Sequence, residues 1–182
     1  MQKLLGMNQF SVALIAGVML LAGCSRTSKA PDVSASVRNA LDRAGLKDVS
    51  ESQDREKGVV TLGGHTDSDA AKMQAEEIAK SLSAGQVVSN EIAVLPPGDS
   101  DAKRVNSDLD KGISKNLDAT LTQNGLAHVV KYDVKNGVVT LKGDVDSQSK
   151  RGQVESMAKA VPNVQQVVNE LQIRNQKATS TN

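Results

Sequence analysis

Apolar residues along this chain recur with two alternating periods. Val33, Val37, Ala40, Leu41 and Ala44 are spaced i, i+4, i+7, i+8 and i+11, which gathers them on one face of a helix opened by Pro31-Asp32. Gly45 follows where a left-handed cap would end that helix. Lys47 to Asp54 reads as a weak strand, turned by Arg55-Glu56-Lys57-Gly58. Val59-Val60-Thr61-Leu62 is a stronger strand, being β-branched and apolar, and Gly63-Gly64 is expected to end it. Asp67 or Ser68 can accept from the free N–H groups of a second helix. Ala71, Ala75, Ile78, Ala79 and Leu82 stripe that helix and Gly85 stops it. Gln86 to Val94 reads as a closing strand.

The same order then repeats. A helix from about Ala102 to Gln123 carries Val105, Leu109, Ile113, Leu117 and Leu121, four apart. Four-residue spacing drifts by about 40° per step, so this stripe winds round the helix. The helix is expected to exceed its counterpart by about one turn. Asn124-Gly125 ends it and Leu126 to Val134 is a strand. Lys135-Asn136-Gly137 is a hairpin turn with the favoured Asn-Gly pair. Val138 to Lys142 is the next strand. A helix after Ser149 carries Val154, Met157, Ala158 and Val161, Pro162-Asn163 breaks it, and Val164 to Ile173 is the last strand.

The two halves share sequence as well as pattern. Gly58 to Ser68 returns as Gly137 to Ser147 at an offset of 79, and the match runs without a gap through Asn90-Glu91 and Asn169-Glu170. Between residues 58–95 and 137–174, 16 of 38 positions are identical. One fixed offset marks a duplicated structural unit, here two tandem domains. The expected fold class is α+β. Each domain is an αββαβ unit, a three-stranded mixed sheet with two helices on one face, closed by a right-handed strand–helix–strand crossover. Domain one spans 31–95, a Pro-Pro linker 96–101, and domain two 102–174. The polar tail 175–182 is expected to be disordered. The linker is stiff and short enough to keep the domains together.

The N-terminus changes the picture. Residues 1–23 read as an export signal, with Lys3, an apolar run from Phe10 to Ala22, and small residues after it. That run is short for a span, which needs about 20 apolar residues. Residues 24–30 form a polar tether. Cys24 is the only cysteine, so no intramolecular disulfide is available. With one Tyr, no Trp and Phe10 in the signal, both cores must be aliphatic. Each small domain buries only about 60% of its unfolded surface and is marginal alone.

Charge separates the halves. Residues 31–95 hold 7 Lys and Arg against 11 Asp and Glu, whereas residues 102–174 hold 11 against 8. Domain two is therefore the better match to an anionic membrane surface, where each nearby basic residue contributes about 1 kcal/mol. The candidates are Lys103, Arg104, Lys111 and Lys115 on the long helix, with Lys150 and Arg151 at the next helix start. Asp108, Asp110 and Asp118 are interspersed, so some of these are solvated surface charges. Without aromatic residues on the long helix, surface contact is expected in place of deep insertion. The same lack of stacking residues argues against nucleic acid as a partner. Enzyme chemistry has no support. His65 and His128 are not equivalent in the repeat, Asp67 and Asp69 open a helix, and Gly63-Gly64 lacks a phosphate-loop context. No catalytic residue, metal ligand or cofactor is expected.

Two resemblances sharpen this. Leu21-Ala22-Gly23-Cys24 resembles the lipobox of bacterial lipoproteins, which implies cleavage before Cys24 and its acylation. Ser25 after it implies sorting to the outer membrane. Gly-Val-Val-Thr-Leu-x-Gly, a helix with Ala-Lys, then Val-x-Asn-Glu-Leu/Ile resembles the BON domain. It covers most of residues 33–95 and 105–174, the second copy matching best, and Ser83-Ala84-Gly85 departs from the usual ending. A lipobox before two such domains resembles dual BON-domain lipoproteins of the bacterial cell envelope, the DolP type, with soluble OsmY-type relatives. That resemblance implies a non-catalytic protein facing the periplasm. It also implies binding of phospholipid, preferably anionic, and support of outer-membrane integrity. The alternative it leaves open is a chaperone-like or adaptor module that binds envelope proteins under stress.

Overall fold

The structure is a computed structural model that describes residues 29–174. The export signal, Cys24, most of the tether and the polar tail lie outside the described residues. Among those described, no helix is long and apolar enough to cross a membrane.

Two copies of one unit are present. The first runs α1 (Ser34–Arg43), β1 (Val49–Asp54), β2 (Val59–Thr66), α2 (Asp69–Leu82), β3 (Val87–Asn90) and β4 (Ala93–Val94). The second runs α3 (Ala102–Gln123), β5 (Val130–Lys135), β6 (Val138–Val145), α4 (Gln148–Lys159), β7 (Gln166–Asn169) and β8 (Gln172–Ile173). In each, the first two strands pair antiparallel and the third joins the second in parallel after its crossover helix. The fold class is the α+β expected, with a fourth short strand. The single closing strand expected in each half is broken at Glu91-Ile92 and at Glu170-Leu171. Its two pieces pair with successive stretches of the central strand.

The central strands outrun the expectation. Gly63-Gly64 does not end β2, which continues to Thr66, and β6 continues to Val145. The second glycine has a steric reason. At Gly64 (φ +82°) a Cβ would lie 2.1 Å from the Asp48 carbonyl oxygen, and at the equivalent Gly143 (φ +120°) 2.3 Å from that of Val129. Only glycine lets the first hairpin strand cross that closely. Ser68 and Ser147 then cap α2 and α4 by accepting from the N–H groups of Ala71 and Lys150. The serine, not Asp67, fills this role.

Each domain buries its own aliphatic core. In the first, Val37 and Leu41 of α1 and Ala75 and Ala79 of α2 close on Val60, Leu62 and Ile92. In the second, Ile113, Leu117 and Leu121 of α3 and Val154 and Ala158 of α4 close on Val139 and Leu141. Both cores lie between Val33 and Leu171, so residues 25–182 contain both.

The long helix has its expected bounds, Ala102–Gln123, but its excess over α1 is larger than expected. α3 has 22 residues against 10 in α1, an excess of about three turns, not one. Pro31 stands just before α1, while nothing upstream in α3 breaks its pattern. Asp99 of the linker accepts from the N–H groups of Asp101 and Ala102, each at 3.0 Å, and starts α3 early. Its first turns overrun their own core: Val105 and Leu109 are 45% and 44% exposed.

Candidate functional site

The two domains meet edge to edge, β3 against β7, around a small cluster of Val59, Val138 and Val168. The paired valines of the repeat explain this. Successive strand residues face opposite sides, so Val60 and Val139 enter the cores while Val59 and Val138 face the junction. Gln166 acts as a short piece of strand there. Its amide donates to the Val88 carbonyl at 2.6 Å and accepts from the Asn90 N–H at 3.0 Å, pairing groups that the edge of β3 would leave bare.

The repeated Asn-Glu pair divides the work of holding each domain. Asn90 donates to Glu76 on its own helix α2, and Asn169 donates to Glu155 on α4, both at 2.9 Å. The glutamates reach across. Glu170 takes Lys57 at 2.6 Å, and Glu91 takes Lys135 at 3.3 Å. The Asn136 side chain adds a bond to the Glu91 carbonyl at 2.8 Å. The hydrogen bond from Lys57 to Glu170 raises the Lys57 pKa, burial opposing it. Asn169, then Lys159, holds the Glu155 carboxyl below the ordinary value. Glu76 is also lowered: burial raises it, but Lys80 and Asn90 outweigh that.

Against this frame the six basic candidates separate into two groups. Lys103, Arg104, Lys111 and Lys115 lie on the first turns of α3, at the end of β6 that begins with Val138. Lys150 and Arg151 lie at the start of α4, the helix that follows the other end of that strand. Arg151 is half-buried and donates to the Asn169 carbonyl of its own domain at 2.9 Å. Lys150 reaches Gln153 at 3.2 Å. Arg104 lies against Asp101 and Asp108.

The remaining three converge. Lys103, Lys111 and Lys115 line an open groove of about 650 Å³ with Ala93, Val134 and Lys135. Among the described residues, Lys103 and Lys115 have no carboxylate within 4.0 Å, while Lys111 lies 3.0 Å from Asp108 and Lys135 is shared with Glu91. Asp110 fixes the groove's back wall by accepting from the N–H groups of Asn136 and Gly137 at 2.8 and 2.9 Å. Tyr132 donates to the carbonyl of the lining residue Ser114 at 3.0 Å, its hydroxyl 2.5 Å from the Asp118 carboxylate; burial first, then Asp118, pushes its pKa up. Sequence reasoning missed Lys135. It lies in a hairpin 20 residues beyond Lys115, and only the antiparallel return of β5 along α3 brings it there. His65 and His128 are exposed on different domains, and the described residues hold no group of three His, Cys, Asp or Glu fit for a metal ion.

Comparison with known proteins agrees with this architecture. The BON domain model matches residues 29–96 and 109–175. Osmotically-inducible protein Y of Escherichia coli (strain K12) is 31% identical over 145 residues, covering 78% of this chain and 71% of that protein. Two solved structures of CdsD, a structural protein of the type III secretion system of Chlamydia trachomatis, are 14% identical. Their TM-scores are 0.34 and 0.35, and they cover 79% and 75% of this chain and 98% and 90% of their own. The duplicated sequence, the paired αββαβ units and the two family matches place this chain in the BON-domain family.

Proposed function

We propose that this chain is a non-enzymatic, lipid-anchored envelope protein whose second domain engages anionic phospholipid through the lysine groove of α3. The observation that carries this is the convergence of Lys103, Lys111, Lys115 and Lys135 on one groove. Two of them lack any carboxylate partner within 4.0 Å among the described residues. A phosphate-bearing headgroup supplies the missing anion, and each lysine near the surface contributes about 1 kcal/mol. The groove is open and flanked by Ala93 and Val134, with no aromatic wedge, so contact stays at headgroup level. Acylated Cys24 would hold the domains at the bilayer and raise the local headgroup concentration. Ser25 points to the outer membrane, on its periplasmic face, where such contact would support membrane integrity.

Vesicle co-sedimentation of residues 25–182, which lack Cys24, tests the groove apart from the anchor. Binding to anionic vesicles is expected at low salt, weakened at high salt and absent with zwitterionic vesicles. Lys103/Lys111/Lys115→Ala should lose it, whereas Lys150→Ala should keep it. Absence of binding to either vesicle would sink this reading and favour the protein-binding adaptor.

A further inference from the structure

Beside the lysine groove, sharing Asn106, Asp110 and Asn136 with it, a cleft of about 510 Å³ lies between the domains. Its walls come from α2, β4, the first half of α3 and the loop before β7. Lys72 of α2 is the cation that faces it. Lys72 is half-buried and has no carboxylate within 4.0 Å among the described residues. The hydrogen bond its ammonium makes is a long one, 3.4 Å to the Gln165 side chain of the other domain.

The repeat shows what is unusual here. The equivalent residue, Arg151, turns onto its own strand and donates to Asn169. Lys72 instead leans across the junction with donor capacity to spare. Burial lowers its pKa, although Asp69, Glu76 and Asp110 work the other way, so the charge is incompletely compensated where it stands. Asp110 accepts backbone N–H groups on both carboxylate oxygens and stays beyond 4.0 Å of the Lys72 ammonium, acting on it only at a distance. Asp69 is the free carboxylate at the cleft, exposed at its mouth.

The other walls add two kinds of contact. Asn106 and Gln165 offer side-chain amides, each with donors and an acceptor, which match a peptide group. Leu109 and Val94 give an apolar wall, and Leu109 is 44% exposed with nothing covering it. One spare cation beside a free aspartate suits a single carboxylate better than a doubly charged phosphate. Asn106 stands outside the segments 29–96 and 109–175 that match the family, so the extension of α3 adds a wall to a cleft otherwise built by the two repeated domains.

We propose that this cleft receives the carboxyl terminus of an extended peptide, its carboxylate on Lys72, its last peptide group on Asn106 and Gln165, and an apolar last side chain on Leu109 and Val94. This does not depend on lipid binding, which uses Lys103, Lys111 and Lys115 of the neighbouring groove, none of which lines the cleft.

A methyl NMR titration of residues 25–182 with N-acetyl-leucine tests it. Saturable shifts are expected at Val94, Leu109 and Val164, with binding about tenfold or more weaker for N-acetyl-leucine amide and in Lys72→Met. Asp69→Asn should tighten binding by removing the repelling carboxylate. Leu109→Asn, at a half-exposed site that leaves the core intact, should weaken it and serves if Lys72→Met does not fold. Absence of shifts at these methyls, or equal binding by the amide, would overturn the proposal. Equal binding of 4-methylpentanoate, which has the carboxylate and side chain but no peptide group, would overturn its peptide part and assign the cleft to free apolar carboxylates.

Discussion

α1 ends after 10 residues and packs along α2, closing the helical layer of the first domain, while α3 runs for 22 and reaches onto β4 of its neighbour. Other equivalent positions diverge in the same sense. Lys72 faces the cleft where Arg151 holds its own strand. Ser89 is buried at the junction where Val168 packs against Val59 and Val138. Positions that tie a domain to itself agree in both copies: Asn90 and Asn169 on their glutamates, Gly64 and Gly143 under the hairpin, Ser68 and Ser147 as caps. The difference teaches where a duplicated fold is free to change. Interactions that close each core are repeated, and the junction and the helix overhang carry what is specific to each copy.

The largest expected effect tests whether two copies make one folding unit. Leu41→Ala and Leu121→Ala empty matching places in the two cores, where both leucines are fully buried. Each should destabilise by about 2–5 kcal/mol. With Gln166 and the Lys57–Glu170 and Lys135–Glu91 pairs bridging the edges, either variant should shift one shared transition in chemical denaturation. Two separated transitions, only one of them moved, would show that the junction does not couple the domains.

Acid should loosen both copies together. Glu76 and Glu155 are held below the ordinary value of 4.5, so what they add is complete above that pH and is lost as pH falls through their folded values. Lys57 has the opposite sign: its contribution is full below 10.5 and is lost as pH rises through its raised value. Denaturation midpoints should be flat in the neutral range as far as these groups matter and fall below about pH 4.5. Replacing Asn90 or Asn169 by Ala should flatten that acid limb; an unchanged limb in both variants would refute the role given to these bonds.

The smallest effect sits at another unequal pair. Ala84 and Asn163 both end a helix with positive φ, +52° and +67°. Asn tolerates that region and Ala does not, so Ala84→Gly should stabilise by about 0.5–1 kcal/mol and Asn163→Gly by less. Thermal melts of the two variants rank them; a larger gain at Asn163 would contradict the strain argument.

Much of this was legible in sequence because it is local or repeated. The apolar periods marked the four helices and the main strands of the described residues, and the 79-residue offset announced two copies before any fold was known. Gly63-Gly64 misled, since glycine pairs usually end strands, and only the close passage of Asp48 over Gly64 reveals why β2 keeps going. The break in each closing strand was invisible because Asn90 and Asn169 act through side chains bonded to a distant helix. The stripe of α3 gave warning of a winding face, but not that Val105 and Leu109 would be left uncovered.

The sequence by itself determined the duplicated α+β units, their aliphatic cores, the opposite charge of the two halves and the basic first turns of α3. Periodicity, turn chemistry and composition are properties of neighbouring residues, so they can be read along the chain. Tertiary structure alone decided which charges are spare. Lys135 joined Lys103, Lys111 and Lys115, Arg151 withdrew onto its strand, and Lys72 was turned toward the cleft. Those outcomes depend on which strand edges meet and how far a helix overhangs. Such contacts join residues as far as 113 positions apart, as at Lys57 and Glu170, and no local pattern records them.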